Sequence, residues 1–243
     1  IKFQGFLSMY KDDDDDETSK KNLPDFNVGD ELKLDELKKY ATSDTPYTIV
    51  VTKNISVTKL TSDSQNHLYC PDGRIYVHSN KTIIGSYSAH TLFNVQFCTS
   101  SKNGTGNNII IKNFVMSHDA ESNHNDSIVC YFGSGQNIWV DHVTFTGHSN
   151  YGYAPKTQQV DEDKFLACCY DADYCTVSDC TFGEHKYGLI LGYPDDNAAN
   201  KSKYGGFPRM SLISNRFDGC NTRGPGLMRW GYFHSLNNYV NKF

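Results

Sequence analysis

The sequence predicts an all-β fold, specifically a right-handed parallel β-helix (a solenoid) with one short N-terminal helix. Beyond Val57 it consists of short runs rich in β-branched and aromatic residues, separated by turns rich in Gly, Asn, Asp and Ser. Four of these runs share one pattern, an alternating strand followed by a polar corner and an aromatic residue. They begin at Asn108, Asn137, Tyr174 and Met210, at intervals of 29, 37 and 36 residues. Intervals of this size are typical of solenoids, propellers and arrays.

The polar corners of the repeat favour a β-helix among these architectures. Asn and Asp tolerate the left-handed backbone conformation that a sharp corner needs, and stacked Asn side chains can bond to one another along a ladder. About three short strands per coil, with loops of variable length between them, account for the intervals. A β-sandwich is the alternative, although tight two-residue turns would then be expected between many of the strands.

The N-terminal part of the chain differs in composition from the rest. Residues 1–24 contain a run of acidic residues and are interpreted as an acidic extension or loop. Asp30–Tyr40 predicts a short helix, and Tyr47–Val57 predicts the first strand. We expect residues 1–243 to form a single β-helix domain.

The charge balance limits the classes of partner. The chain has 23 basic and 28 acidic residues, a net charge of −5, whereas a nucleic-acid-binding domain normally has a basic excess. No run of 18 apolar residues is present, so we expect no membrane partner. The 16 tyrosines suit a surface that binds sugars, but they are equally typical of β-strands.

The cysteine content suggests an oxidising compartment and therefore a secreted, extracellular protein. Eight cysteines allow 105 pairings, so disulfides are expected without a readable connectivity, and some thiols can instead be buried and free. Five glycosylation sequons agree with secretion but arise easily by chance in an Asn-rich chain. They begin at Asn54, Asn80, Asn103, Asn125 and Asn200.

The segment Arg223–Tyr239 is the strongest functional signal in the chain. It places Arg223 and Arg229 around a Pro/Gly turn and continues into a strand-like run that contains Asn237 and Asn238. Arginines on a rigid scaffold bind carboxylates through two parallel hydrogen bonds. The segment therefore predicts a protein that binds an acidic polymer, and a polysaccharide is the favoured kind.

Five segments in order resemble the pectate lyase and pectin lyase family, polysaccharide lyase family 1. Together they cover roughly two thirds of the chain, and their combination is far more specific than any one of them. They are Ser79–Gly85, Asn137–His142, Asp173–Ser178, His185–Gly192 and Arg223–Tyr239. The resemblance implies a right-handed parallel β-helix. Because relatives continue beyond the last motif, we expect further C-terminal coils to be missing from this sequence.

The resemblance also implies a reaction and a set of catalytic residues. Family members cleave polygalacturonate by β-elimination, in which a carboxylate-bearing sugar loses its C5 proton and the C4 oxygen leaves. Arg223 matches the family's base, Arg229 matches a second arginine of the cluster, and Lys186 lies near the position of a third cation. Register places Tyr187 where the lysine belongs, so Lys186 is expected to point the wrong way unless a bulge re-aims it.

Ca²⁺ is the cofactor that the resemblance implies. Asp126 and Asp163 match acids that bind the metal in the family, whereas two further acid positions carry His124 and Ala167. Ca²⁺ prefers six to eight oxygen ligands, so this set implies a weak site completed by substrate carboxylates. Asp141 and His142, the family's most recognisable pair, are interpreted as structural.

The first hypothesis is therefore a secreted, Ca²⁺-assisted pectate lyase that acts as a monomer on polygalacturonate or pectin. A pectin lyase that cleaves the methyl-esterified polymer without Ca²⁺ is the first alternative, because a neutral ester needs no metal bridge. A non-catalytic homologue that binds uronans is the second. A β-helix glycoside hydrolase ranks lower, because that chemistry needs two carboxyl groups about 5–9.5 Å apart and no hydrolase motif is visible.

Overall fold

The strands of this computed structural model stack in parallel, coil upon coil. The structure describes residues 8–10, 34–62, 68–86, 89–103, 106–119, 128–147, 164–193, 195–203 and 208–242. Within these ranges, strand pairs are parallel except for two antiparallel pairs near the N-terminus, Ser8–Tyr10 with Tyr47–Val51 and Thr61–Ser62 with Leu68–Tyr69. The predicted right-handed parallel β-helix is confirmed, and the β-sandwich alternative was wrong.

The strands are short, apart from three that bend from one side of the coil to the next. The first ten are β1 Ser8–Tyr10, β2 Tyr47–Val51, β3 Ile55–Ser56, β4 Thr61–Ser62, β5 Leu68–Tyr69, β6 Arg74–Tyr76, β7 Lys81–Gly85, β8 His90–Phe93, β9 Gln96–Thr99 and β10 Ile109–Ser117. The others are β11 Ile128–Phe145, β12 Lys164–Ser178, β13 Thr181–Phe182, β14 His185–Gly192, β15 Arg209–Ile213, β16 Arg216–Asp218, β17 Cys220–Thr222, β18 Leu227–Arg229, β19 Tyr232–Leu236 and β20 Tyr239–Asn241. The single strand predicted over Tyr47–Val57 is in fact β2 and β3, separated by a bend.

The parallel pairs arrange the strands in three sheets, one on each side of the coil. Sheet A contains β2, β7, the start of β10, the later part of β11, the end of β12, β15 and β19. Sheet B contains β3, β8, the end of β10, the end of β11, β13, β16 and β20. Sheet C contains β6, β9, the starts of β11 and β12, β14, β17 and β18.

The corner between sheets A and B has the predicted left-handed backbone. Asn113, His142, Asp179 and Ser214 have φ angles of 63°, 50°, 49° and 54°. Asn113 also bonds the coil before it, since its Nδ2 donates to the Gly85 carbonyl at 3.2 Å. The side-chain amides therefore support the corners and link successive coils, as the sequence predicted.

A ladder of hydrogen-bonded asparagine side chains lies at the start of sheet A. Asn137 Nδ2 donates to Asn108 Oδ1 at 3.0 Å, and Asn108 Nδ2 donates to Asn80 Oδ1 at 2.9 Å. Tyr174 continues this row, and the next coil contributes Arg209, because Cys175 pairs with Met210. The fourth repeat therefore begins at Arg209, one residue before the predicted Met210.

The interior of the coil is filled by stacked side chains from successive rungs. Phe145, Phe182 and Phe217 pair in register on sheet B, and their ring centroids are 4.9 and 4.7 Å apart. Their planes are nearly parallel, at 3° and 7°. Burial of such rings provides a large apolar contribution to stability and holds the coils in register.

Most of the cysteines behave as core residues. Six of them are free and buried: Cys70, Cys98, Cys130, Cys169, Cys180 and Cys220. Burial raises the pKa of Cys98, Cys180 and Cys220 to about 12, so these thiols are uncharged at neutral pH. Cys168 and Cys175 form the one cysteine pair at disulfide distance among the described residues.

The predicted N-terminal helix is present as α1, Leu34–Ala41, which packs against β2 and β6 through its buried face. The predicted start at Asp30 lies outside the described residues. A second helix, α2 Ala198–Lys203, was not predicted; its sequence is polar and six residues long, too short to show a helical period. None of the helices in the described ranges is long and apolar enough to cross a membrane.

Candidate active site

The arginine segment forms a bulge on sheet C. Strand β17 pairs with His185–Tyr187, and β18 pairs with Ile190–Gly192. Two residues separate Tyr187 from Ile190 on β14, whereas four residues, 223–226, separate the ends of β17 and β18. Two extra residues are therefore accommodated outside the ladder, and bulges of this kind re-aim side chains near functional sites.

Arg223 occupies the first position of this bulge. It has a left-handed φ of 60°, and its carbonyl accepts a hydrogen bond from the Leu189 amide at 3.1 Å. A Cβ atom at Gly188 would lie 2.2 Å from that carbonyl oxygen, so only glycine fits opposite Arg223. The side chain turns onto Tyr187, and the guanidinium carbon is 4.2 Å from the centre of the ring.

Lys186 contacts the same aromatic ring. Its Nζ is 5.1 Å from the ring centre of Tyr187, and Thr222 Oγ1 donates to its carbonyl at 3.2 Å. The structure therefore brings Lys186 and Arg223 to a single half-buried tyrosine. In the described parts of the chain, neither cation lies within ion-pair distance of a carboxylate. Within the described ranges, both charges are therefore available to a negative group of a ligand.

Arg229 lies farther along the sheet. It pairs with Gly192, four residues beyond Gly188 on β14, which places its backbone about 13 Å from the level of Arg223. Its carbonyl accepts a hydrogen bond from the Tyr193 amide at 3.1 Å. The backbones of the two arginines that the sequence placed in one cluster thus lie at different levels of the sheet, and a catalytic role for Arg229 stays a prediction.

The predicted calcium ligands Asp126 and Asp163 lie outside the described residues, and so does His124. Ala167, which stands where the family has a further acid, is fully buried in a small apolar cluster. Four residues of the cluster lie opposite one another on successive strands of sheet C and so form one row: Tyr131, Ala167, Ile190 and Leu227. It is separate from the interior core, so it lies on the outer side of the sheet, and it offers no oxygen ligand for Ca²⁺ there.

Among the described residues, one group of three acidic or histidine side chains lies close enough to hold a metal: Asp141, His142 and Asp179. It belongs to sheet A and its corner, not to sheet C. The Asp141 carboxylate already accepts bonds from Lys112 Nζ at 2.6 Å, His142 Nδ1 at 2.7 Å and Ser178 Oγ at 2.5 Å. The ammonium group of Lys112 beside the Asp141 carboxylate already supplies the positive charge that a metal ion would bring. The set Asp141, His142 and Asp179 therefore does not fit Ca²⁺.

The hydrogen bonds to Asp141 show in its pKa. Burial opposes ionisation of the carboxyl, but the bonds from Lys112, Ser178 and His142 outweigh burial and hold the pKa below its ordinary value. Asp141 is therefore an ionised, internally paired group at neutral pH. This arrangement matches the structural role that the sequence predicted for Asp141 and His142.

A tyrosine-lined hollow of about 370 Å³ lies beside sheet C, near the turn to sheet A. Tyr131, Tyr170 and Tyr193 line it together with Asp171, and the rings of Tyr170 and Tyr193 meet edge to face at 5.9 Å. Sequence reasoning missed these tyrosines because they are 39 and 23 residues apart and meet only through coil stacking. It also missed the role of Tyr187 as the ring that holds both cations.

Comparison with known proteins gives one consistent result. A family model described as pectate lyase matches residues 18–243. Proteins named pectin lyase from Pseudomonas marginalis and Bacillus subtilis are each 41% identical over 210 residues, which is 86% of this chain. A pectate trisaccharide-lyase from a Thermotoga strain is 28% identical over 84% of the chain. The chain spans 60%, 54% and 48% of the lengths of these three relatives.

Solved structures agree on the fold. A pectate lyase studied for its substrate specificity and anti β-elimination mechanism superimposes with a TM-score of 0.55 and 22% identity. A pectate lyase bound to a hexasaccharide has the same TM-score and 20% identity. Each similarity covers 69% of this chain and 44% of the other one.

Proposed function

Because the chain belongs to the pectate lyase family, we propose that it cleaves a pectic polysaccharide by β-elimination and prefers the methyl-esterified polymer. The observation that carries the proposal is the pair of cations, Lys186 and Arg223, on the ring of Tyr187. Neither has a carboxylate partner in the described ranges, and an apolar row lies on the same sheet. The two relatives at 41% identity are named pectin lyases, which supports the preference.

The reaction needs a base and a positive environment. The base removes the proton on C5 of a uronate residue, a double bond forms between C4 and C5, and the C4–O bond breaks. Negative charge develops on the neighbouring carbonyl group, where a preorganised cation stabilises the transition state most. Lys186 supplies that charge, and Arg223 accepts the proton in its neutral form. An arginine has an ordinary pKa above about 12, so a neighbouring cation is needed to favour that form.

An esterified substrate would account for the absence of carboxylate side chains from the described outer row of sheet C. A methyl ester is neutral and withdraws electrons from C5 more strongly than a carboxylate, so its C5 proton is more acidic. Such a substrate needs no metal bridge to neutralise it, and the row Tyr131, Ala167, Ile190 and Leu227 contributes no carboxylate that could hold a metal. We therefore place the pectin lyase hypothesis ahead of the Ca²⁺-assisted pectate lyase hypothesis, in the reverse of their order in the sequence analysis.

Calcium-assisted cleavage of free polygalacturonate is the second candidate. It is favoured by the match of Asp126 and Asp163 to metal-binding acids and by the relatives named pectate lyases. When bound, Ca²⁺ would neutralise the substrate carboxylate. Either polymer is met outside the cell, in keeping with the secretion that the sequence predicts.

The test is to incubate the purified chain with highly esterified pectin and with polygalacturonate, each with EDTA or with added Ca²⁺. The unsaturated product is followed by its ultraviolet absorbance. We expect faster product formation on esterified pectin and less than a twofold effect of EDTA. Product that forms only on polygalacturonate with Ca²⁺ would support the second candidate, and reducing ends without absorbance would show hydrolysis and contradict both.

A further inference from the structure

The outer face of sheet A carries a long groove, on a different side of the coil from Arg223 and Lys186. A hollow of about 730 Å³ lies over β2, β7, β10, β11 and β12. A second hollow of about 360 Å³ shares Tyr174 and Thr176 with it and continues over β15 and β19. Since rungs are spaced about 4.8 Å apart, the seven rungs give the groove a length of about 29 Å.

Two register rows line the groove and give it a mixed polar and aromatic surface. One row is the amide ladder of Asn80, Asn108 and Asn137, which leads to Tyr174. The other row is formed by side chains from the middle of each strand, and they lie in register from coil to coil. They are Thr48, Thr82, Ile110, Trp139 and Thr176.

Trp139 is exposed in this groove and yet held in a fixed orientation. Trp139 is 38% exposed, although burial of a tryptophan ring would normally stabilise the folded state. Its Nε1 donates to Ser178 Oγ at 2.8 Å, and that hydroxyl donates to the buried carboxylate of Asp141. Lys112, paired with the same carboxylate, lies 5.3 Å from the centre of the ring.

Tyr174 repeats this arrangement one coil later. Its side chain is 48% exposed, and the guanidinium of Arg209 lies 3.9 Å from the ring centre. Arg209 is bound to the buried carboxylate of Asp173 through its side chain, and its backbone amide donates to the same carboxylate at 2.8 Å. Two adjacent coils therefore each hold an exposed aromatic ring with a cation that is paired to a buried aspartate.

We propose that this groove is an accessory binding site for a methyl-esterified pectic chain, separate from the candidate active site. Exposed rings held in place lose little conformational freedom on binding, and the apolar faces of pyranose rings pack well against them. The amide ladder offers hydrogen-bonding groups to the sugar hydroxyls at three consecutive rungs. Lys112 and Arg209 are neutralised by Asp141 and Asp173, and Lys81, which also lines the groove, is only 1% exposed and donates to the Ser79 carbonyl at 2.8 Å. The groove therefore suits a neutral chain rather than a polyanion. The identity of the ligand rests on the proposed function.

The two tryptophans of the chain allow binding at this groove to be measured directly. In the 243-residue protein carrying Trp230→Phe and Arg223→Ala, Trp139 is the only tryptophan, and turnover is slowed by at least about 100-fold. This protein is titrated with a methyl-esterified hexagalacturonate while tryptophan fluorescence is recorded. We expect a saturable change in emission and protection of Trp139 from acrylamide quenching.

A pair of tyrosine variants locates the binding. Tyr174→Ala should weaken the fluorescence-detected affinity at least tenfold. The matched control is Tyr239→Ala, since Tyr239 is 56% exposed on sheet B and also has an arginine, Arg216, 5.7 Å from its ring. This variant should change the affinity less than twofold. Equal weakening by both variants, or no response of Trp139 to the hexamer, would overturn the accessory site, provided that circular dichroism shows both variants folded.

The ligand class and the proposed function are tested separately. Equal or tighter binding of the unesterified hexamer would overturn the assignment of a neutral ligand. Cleavage of pectin by the unsubstituted protein, without any Trp139 response, would leave the proposed function standing and remove the accessory site. A Trp139 response that depends on Tyr174, without cleavage of any uronan, would do the reverse.

Discussion

Sheets A and C use the same pair of residue types in different electrostatic surroundings. On sheet C, Arg223 lies 4.2 Å from the ring of Tyr187, and on sheet A, Arg209 lies 3.9 Å from the ring of Tyr174. Arg209 is also paired with the buried Asp173, whereas Arg223 has no carboxylate partner within the described part of the chain. An arginine with a buried partner orients its neighbour, and one without such a partner is available to a substrate.

Removing Arg223 is expected to have the largest effect. Arg223→Ala should lower the rate of unsaturated product formation by about 10²–10⁴-fold, the contribution typical of a positioned general base. The control is Arg216→Ala, an exposed arginine on sheet B, which should keep the rate within twofold. Full activity of the Arg223 variant would remove Arg223 from the mechanism and erase the distinction between the two faces.

Removing the buried partner on sheet A should act on stability. Asp173 is 3% exposed. The substitution Asp173→Asn removes the charge partner of Arg209, and the new side chain is a poorer acceptor for the backbone amide of Arg209. We expect the free energy of unfolding in urea to fall by about 2–3 kcal/mol, somewhat below the loss typical of a fully buried pair. Asp218→Asn, which breaks a more exposed ion pair with Arg216, should cost much less. Equal losses would show that burial of Asp173 contributes nothing special.

The second cation on sheet C should matter less than the first. Lys186→Met keeps most of the side-chain length but removes the charge near Tyr187. We expect about a tenfold lower rate, because the variant loses the charge that stabilises the transition state but keeps Arg223 as the base. Separate measurement of kcat and KM distinguishes this role from a structural one, since the loss should fall on kcat and leave KM little changed. A loss confined to KM would contradict a role for Lys186 in the reaction.

Acid should act on sheet A through its buried aspartates. For Asp173, burial opposes ionisation, but hydrogen bonds from Arg209 and from the Tyr174 amide outweigh burial and lower the pKa. A lowered pKa in the folded state contributes stability that is complete above the unfolded value of about 3.9 and is lost as the pH falls through the folded value. Urea unfolding between pH 5 and pH 2 should therefore show a smaller loss for Asp173→Asn than for the unsubstituted protein. An equal loss of unfolding free energy in the two proteins over this pH range would contradict a contribution from Asp173.

The fold was predictable because its determinants are local and repeated. Alternating apolar residues define each strand, and residues such as Asn113 and Asp179 mark corners that need a left-handed backbone. The first predicted strand was too long, since its propensity continues through a bend that separates β2 from β3. Helix α2 was missed because six polar residues have no readable period.

The functional site was only partly predictable. The arginine segment and Lys186 were found through motif order. The bulge that brings Lys186 and Arg223 to one ring depends on how β17 and β18 pair with β14, and neither strand signals its register alone. The predicted partner Arg229 lies about 13 Å farther along for the same reason.

The sequence by itself determined the class of fold, the family and the segment that carries the candidate catalytic cations, because each is encoded in neighbouring residues or in motif order. Only the tertiary structure decided which residues meet across coils, such as Lys112 with Asp141 or Asp173 with Arg209. These partners are 29 and 36 residues apart in the chain. The physical reason is that loops of different lengths set the stacking of rungs. The repeat interval shows which coils are neighbours, but the exact register and side-chain orientation that bring each pair into contact arise only when the rungs stack.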